Sequence, residues 1–103
     1  MEILIDCFGR PVRLTDERLA HIRGHQELME MEDEIRSVIS QPKFVRRSRS
    51  DIAVKLFYDF CADTPVGSKW ICAVVKYSED DAFLITAYLT KQPKAGEDLW
   101  PTR

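Results

Sequence analysis

The sequence predicts an α+β domain in which two N-terminal helices pack on one face of an antiparallel four-stranded, or slightly larger, β-meander. Three observations carry that prediction. Met31, Ile35, Val38 and Ile39 fall at i, i+4, i+7 and i+8, one stripe of an amphipathic helix. Positions 70–77 and 83–90 each place an almost wholly apolar set at every second residue, as half-buried strands do. Turn-forming Pro and Gly separate these segments. A length of 103 residues suits one core, so residues 1–103 read as a single domain.

The elements follow in chain order. Positions 2–14 read as two short strands. Ile3 and Ile5 alternate with Leu4 and Asp6, Phe8-Gly9-Arg10-Pro11 supplies a turn, and Val12 and Leu14 resume the alternation. Thr15 or Asp16 is a good helix N-cap, with Glu17 in a first turn that favours anions. That helix runs to about Arg23 with Gly24 as its C-cap, and Leu19 and Ile22 face inward. The second helix covers 31–40; Glu32, Asp33 and Glu34 fill its first turn, and Pro42 forbids continuation. Strands follow at 44–49 and 52–60, then a loop at 62–68 with Pro65 and Gly67, then the two best strands. The tail, 91–103, is anchored by Leu99 and Trp100.

The last two strands can be registered. Ile71, Ala73, Val75 and Tyr77 share one face, and Phe83, Ile85, Ala87 and Leu89 another. Burying both sets on one side puts Tyr77 opposite Phe83, Val75 opposite Ile85 and Ala73 opposite Ala87. The reverse face then carries Trp70, Cys72, Val74 and Lys76 beside Leu84, Thr86, Tyr88 and Thr90, and is free for a ligand.

Composition narrows the function. Hydrophobic residues make up 45% and charged residues 31%, which argues against disorder. No apolar run approaches the roughly 20 residues a bilayer needs, so no membrane role is expected. The start lacks the layout of a secretory signal, so a cytoplasmic location is the expectation. A net charge of −2 excludes a globally basic nucleic-acid binder but leaves room for a locally basic site. Cys7, Cys61 and Cys72 are an odd count without CxxC spacing, against a disulfide framework or structural zinc.

Charge is uneven. Glu27–Glu34 holds five acids and no base, whereas 43–55 holds Lys43, Arg46, Arg47, Arg49 and Lys55 against Asp51 alone. Such a strand, beside a face bearing Lys76, could hold phosphates. It could equally be an edge strand guarded by charge. His21 and His25, four apart, suit proton transfer, since imidazole titrates near neutrality. No third ligand accompanies them, so neither metal nor cofactor is expected. Ser48, Tyr58, Thr86 and Tyr88 are strand hydroxyls whose value lies in convergence with Lys76 and the arginines.

The order strand–helix–helix–four-strand meander, carrying HIRGHQEL, EIRSVISQP, VRRSRSD, LFYDF, ICAVVKY and FLITAYLTKQPKAGEDLW, resembles a group of small domains. These are the RelE-like and phage-encoded nuclease-like domains of the barnase–EndoU–colicin–RelE superfamily. Residues 14–100 carry the resemblance, most specifically the HIxxxH helix and the strand ending ITAYLT. The group more often reads HPE where this chain has His25-Gln26-Glu27. The resemblance implies a metal-independent endoribonuclease that activates the ribose 2′-hydroxyl, in a toxin-like or phage-derived setting. His21 or His25 then matches the helix histidine, Arg47 and Ser48 the polar strand, Lys76 the sheet lysine, and Thr86 and Tyr88 the final-strand pair. Arg46, Arg49 and Lys55 would join Arg47 and Ser48 on the RNA. RNA and a cognate antitoxin are the partners implied. The alternatives are a non-catalytic binding or dimerisation module that keeps the fold, with a homodimer as partner, and a small-molecule site in the sheet groove.

Overall fold

The computed structural model describes residues 1–101; Thr102 and Arg103, the end of the expected tail, lie outside the described residues. Among the described residues, seven strands and two helices follow in the order β1 (Glu2–Ile5), β2 (Pro11–Leu14), α1 (Asp16–Arg23), α2 (Glu32–Ser40), β3 (Phe44–Arg47), β4 (Val54–Thr64), β5 (Gly67–Tyr77), β6 (Ala82–Thr90) and β7 (Asp98–Trp100). A single 3-10 turn at Gln26–Leu28 links the helices.

The four-stranded antiparallel meander is overturned. All seven strands join one sheet in the order β1-β2-β6-β5-β4-β3-β7. It is mixed, because β2 meets β6 in parallel through Arg13 and Phe83. It also curls into half a barrel. The β1–β2 hairpin extends one edge, and the tail, as β7, extends the other by pairing with β3.

Thr15 caps α1 by accepting a hydrogen bond from Arg18 N–H. Gly24 ends it with a right-handed backbone, φ −68°. The helix stops there, so His25 starts the next turn instead of extending the helix. Leu19 and Ile22 of α1, and Ile35, Val38 and Ile39 of α2, are buried against one sheet face with Val45, Phe57, Ile71, Ala73, Val75, Leu84 and Ala87. The expected loop at 62–68 is a tight turn instead: β4 and β5 run on to Thr64 and Gly67, which pair across Pro65-Val66. Pro65 presets the turn, and Gly67 takes φ 90°, which L side chains rarely adopt.

The expected register holds only at Ala73–Ala87. A bulge between Val74 and Val75 then sets Val75 opposite Leu84 and Tyr77 opposite Ala82. Leu84 therefore enters the helix-side core, while Ile85 joins the cluster on the reverse face. One extra residue in a strand is enough to exchange the faces beyond it.

Candidate phosphate-binding site

The reverse face is neither bare nor fully covered. Val54, Leu56, Tyr58 and Cys72 are buried there, with Phe44, Trp70, Val74, Ile85 and Tyr88 packed around them. Part of the cover is a strap, residues 91–97, which leaves the end of β6 and crosses to the outer side of β3. Lys94 N–H donates to the Tyr58 hydroxyl at 3.0 Å, and Arg46 Nη1 donates to Lys94 O at 2.9 Å. Arg47 N–H donates to Glu97 O at 2.9 Å. Two ion pairs, Arg46–Asp98 and Arg47–Glu97, both at 2.9 Å, complete the seam. Gly96 is needed for this approach, since a Cβ there would collide with the Arg47 carbonyl oxygen.

Where the strap meets the β3–β4 loop it leaves a half-open cavity of about 330 Å³, lined by Ser48, Arg49, Ser50, Leu56, Lys94 and Ala95. The Ser48 and Ser50 hydroxyls lie 3.1 Å apart. No ion pair engages Arg49 or the Lys94 ammonium among the described residues; the latter stands 5.6 Å from the Tyr88 ring centre. Two free cations and two hydroxyls around a floor of Leu56 suit a phosphate. An aromatic row adjoins the strap. The ring centres of Phe44 and Tyr58 are 5.3 Å apart, of Phe44 and Trp70 5.4 Å, and of Phe60 and Trp70 5.4 Å. Phe60 is 47% exposed. The Arg46 guanidinium lies 4.6 Å from the Phe44 ring centre.

The residues singled out from sequence divide into three places. Lys76, Thr86 and Tyr88 share the strapped face, since Lys76 is across from Phe83, Val74 from Thr86 and Cys72 from Tyr88. Lys76 is paired with Asp51 at 3.2 Å. Hydrogen bonding from Ala53 N–H, then Lys76, holds the Asp51 carboxyl below its ordinary range. Arg46, Ser48 and Arg49 also belong to this side, around the strap and cavity. Arg47 and Lys55 are cross-strand neighbours on the helix side, because Lys55 contacts Phe8 and Tyr77 there.

His21 and His25 form the third group. Their rings meet edge to face, 5.4 Å between centres, on the exposed side of the helix layer. His25 Nδ1 is 4.0 Å from Glu27. The sheet separates this pair from Lys76, Thr86 and Tyr88, with which the resemblance would group it. The strapped face offers no substitute near neutrality. Burial, then the neighbouring Cys72, pushes the Tyr58 and Tyr88 hydroxyls upward, and burial raises Cys72 to about 11. The Tyr88 hydroxyl oxygen is buried with no hydrogen-bond partner among the described residues. Among the described residues no three His, Cys, Asp or Glu side chains gather to hold a metal, and no helix is long and apolar enough to cross a membrane.

Sequence reasoning missed Lys94 and the strap. The signal available was the run AGEDLW, with two acids after a glycine, opposite a strand bearing two arginines. Comparisons with protein-family models, curated proteins and solved structures give no match.

Proposed function

We propose that the chain binds single-stranded RNA on the strapped face of its sheet, as a binding module without a cleavage step. The observation that carries this reading is the cavity in which Arg49 and Lys94, in no ion pair among the described residues, stand beside two serine hydroxyls. Its cations and hydroxyls match phosphate oxygens, and the exposed part of the Phe44–Trp70–Phe60 row offers rings on which bases stack. Stacking is worth about 1–3 kcal/mol per base, enough to add to a weak electrostatic contact. The separation of both histidines from this face supports binding over catalysis.

The test is a titration of a fluorescent single-stranded RNA at low salt, read by anisotropy, with the RNA then checked on a gel. Binding that weakens with salt, falls at least about tenfold in Arg49→Ala/Lys94→Ala, and leaves the RNA intact is the expected result. Absence of binding at low salt, or equal binding by the double variant, overturns the reading. RNA cut at micromolar protein would return the function to a ribonuclease, and His21→Ala and His25→Ala would then be assayed for loss of rate.

A further inference from the structure

A second group of cations lies on the other side of the sheet, where the β1–β2 turn meets the start of β4. Lys55 is partly buried, with its Nζ 4.1 Å from the Phe8 ring centre and 4.3 Å from that of Tyr77. No ion pair or hydrogen bond holds this ammonium among the described residues, although it carries three donors. Arg10 shares the same Tyr77 ring, its Cζ 5.2 Å from the centre. Among the described residues the Arg10 guanidinium donates only to the Ser78 and Glu79 carbonyls. Arg47 is the cross-strand neighbour of Lys55.

The acids nearby are already engaged. Asp6 is 4% exposed, and its Oδ1 accepts from Phe8 and Arg10 N–H while its Oδ2 accepts from the Tyr77 hydroxyl at 2.5 Å. Glu97 is paired with Arg47 from the solvent side. Cys7, beside Asp6, is pushed up to about 11 by burial and by that carboxylate, and so is neutral at pH 7. Three cations thus face one saturated buried carboxylate and one exposed acid.

We propose that Arg10, Arg47 and Lys55 form a binding site for a phosphate dianion, as free phosphate or as a phosphate monoester. Cations from three separate elements suit a tetrahedral, doubly charged group; a carboxylate needs only one of them. Burial lowers the Lys55 amine from its ordinary range; the Asp6 carboxylate opposes this, and the charges of Arg10 and Arg47 add to the lowering. A bound dianion relieves both guanidinium repulsions at once. The site is independent of the RNA reading, because the sheet lies between them.

Inorganic phosphate and acetate are the probes, applied to the full chain. Reductive methylation of the parent, followed by mass spectrometry, reads the accessibility of Lys55 without any substitution. Phosphate should slow methylation of Lys55 at least about fivefold at concentrations where acetate does not. In calorimetric titration, Lys55→Met, which keeps the aliphatic stem over the rings, should weaken phosphate binding at least about tenfold. Arg49→Ala/Lys94→Ala should leave phosphate binding at this site unchanged. Methylation rates left equal by both phosphate and a phosphomonoester overturn the proposal. So does a phosphate affinity that survives Lys55→Met and is lost in the Arg49/Lys94 double variant. Slowing by phosphomonoesters but not by free phosphate would assign the monoester as the ligand.

Discussion

Phe57 and Leu56 are neighbours in β4 and face opposite sides of the same sheet. Phe57 has no exposure and sits among the side chains of both helices and the strands beneath them. Leu56 is almost as buried, yet it floors the cavity under the strap. The helix side is closed by apolar side chains from elements with their own internal hydrogen bonds. The strapped side is closed in part by a short irregular segment, seamed by hydrogen bonds and exposed ion pairs. The polar seam leaves Arg49 and Lys94 facing a void, whereas on the helix side the free cation, Lys55, lies against the rings of Phe8 and Tyr77. A void bordered by cations and hydroxyls suits an extended ligand; a cation held between rings suits a small one.

The largest effect tests that contrast directly. Phe57→Ala should cost about 3–5 kcal/mol, because a dense core collapses poorly around so large a hole. Leu56→Ala should cost only about 2 kcal/mol, since its side chain already borders open space. Urea unfolding of both variants measures the difference. Equal losses would mean that the strap packs its face as tightly as the helices pack theirs.

The contrast also explains what was legible beforehand. Helix α2 is local: its stripe, its acidic first turn and Pro42 all lie within a dozen residues. The long strands were legible for the same reason. The bulge at Val74 was not, because Ala82-Phe83-Leu84-Ile85 is apolar throughout and alternation cannot choose between its two faces. The size of the sheet was not, because β2 joins β6 through a single pair of residues, Arg13 and Phe83. Of the site, Ser48 and Arg49 were legible from the basic run. Lys94 was not, since it reaches them only through a strap with no periodicity. The Arg10–Lys55 corner joins the β1–β2 turn to a strand far along the chain, which no local pattern links.

An intermediate effect compares a thiol on each side. Burial raises Cys72, on the strapped side, from the ordinary 9.0 to about 11, and Cys7, beside the helix-side core, by a similar amount. A thiol whose pKa is higher in the folded chain keeps its proton longer there than in the unfolded chain. Stability from this source is whole below pH 9 and falls as pH rises toward 11. For Cys72, which has no exposure, the loss amounts to about 3 kcal/mol at most. Cys7 is partly exposed, so solvent screening reduces its share. Unfolding free energies measured from pH 8 to 10.5 should therefore fall less steeply in Cys72→Ala than in Cys7→Ala. The reverse order would mean that water reaches Cys72 beneath the strap.

The smallest effect on stability separates the two faces most cleanly in function. Asp98 and Glu97 are adjacent in the chain, 71% and 66% exposed, and pair with Arg46 and Arg47 respectively. Exposed pairs of this kind are worth about 0.2–1 kcal/mol, so Asp98→Asn and Glu97→Gln should each move the unfolding free energy by less than that. Neither arginine loses its position, because Arg46 still donates to Lys94 O and Arg47 to Ile52 O. What changes is which ligand each guanidinium can reach. Arg46 lies on the strapped side, so Asp98→Asn should tighten RNA binding and steepen its dependence on log salt by about 0.7, the share of one added phosphate contact. Arg47 neighbours Lys55 on the helix side, so Glu97→Gln should tighten inorganic phosphate binding and leave the RNA slope where it was. If both substitutions shift both ligands alike, the sheet does not divide the two surfaces and one diffuse basic field serves them. If Asp98→Asn alone leaves the slope unchanged, Arg46 is committed to holding the strap, and the RNA contacts reduce to Arg49 and Lys94.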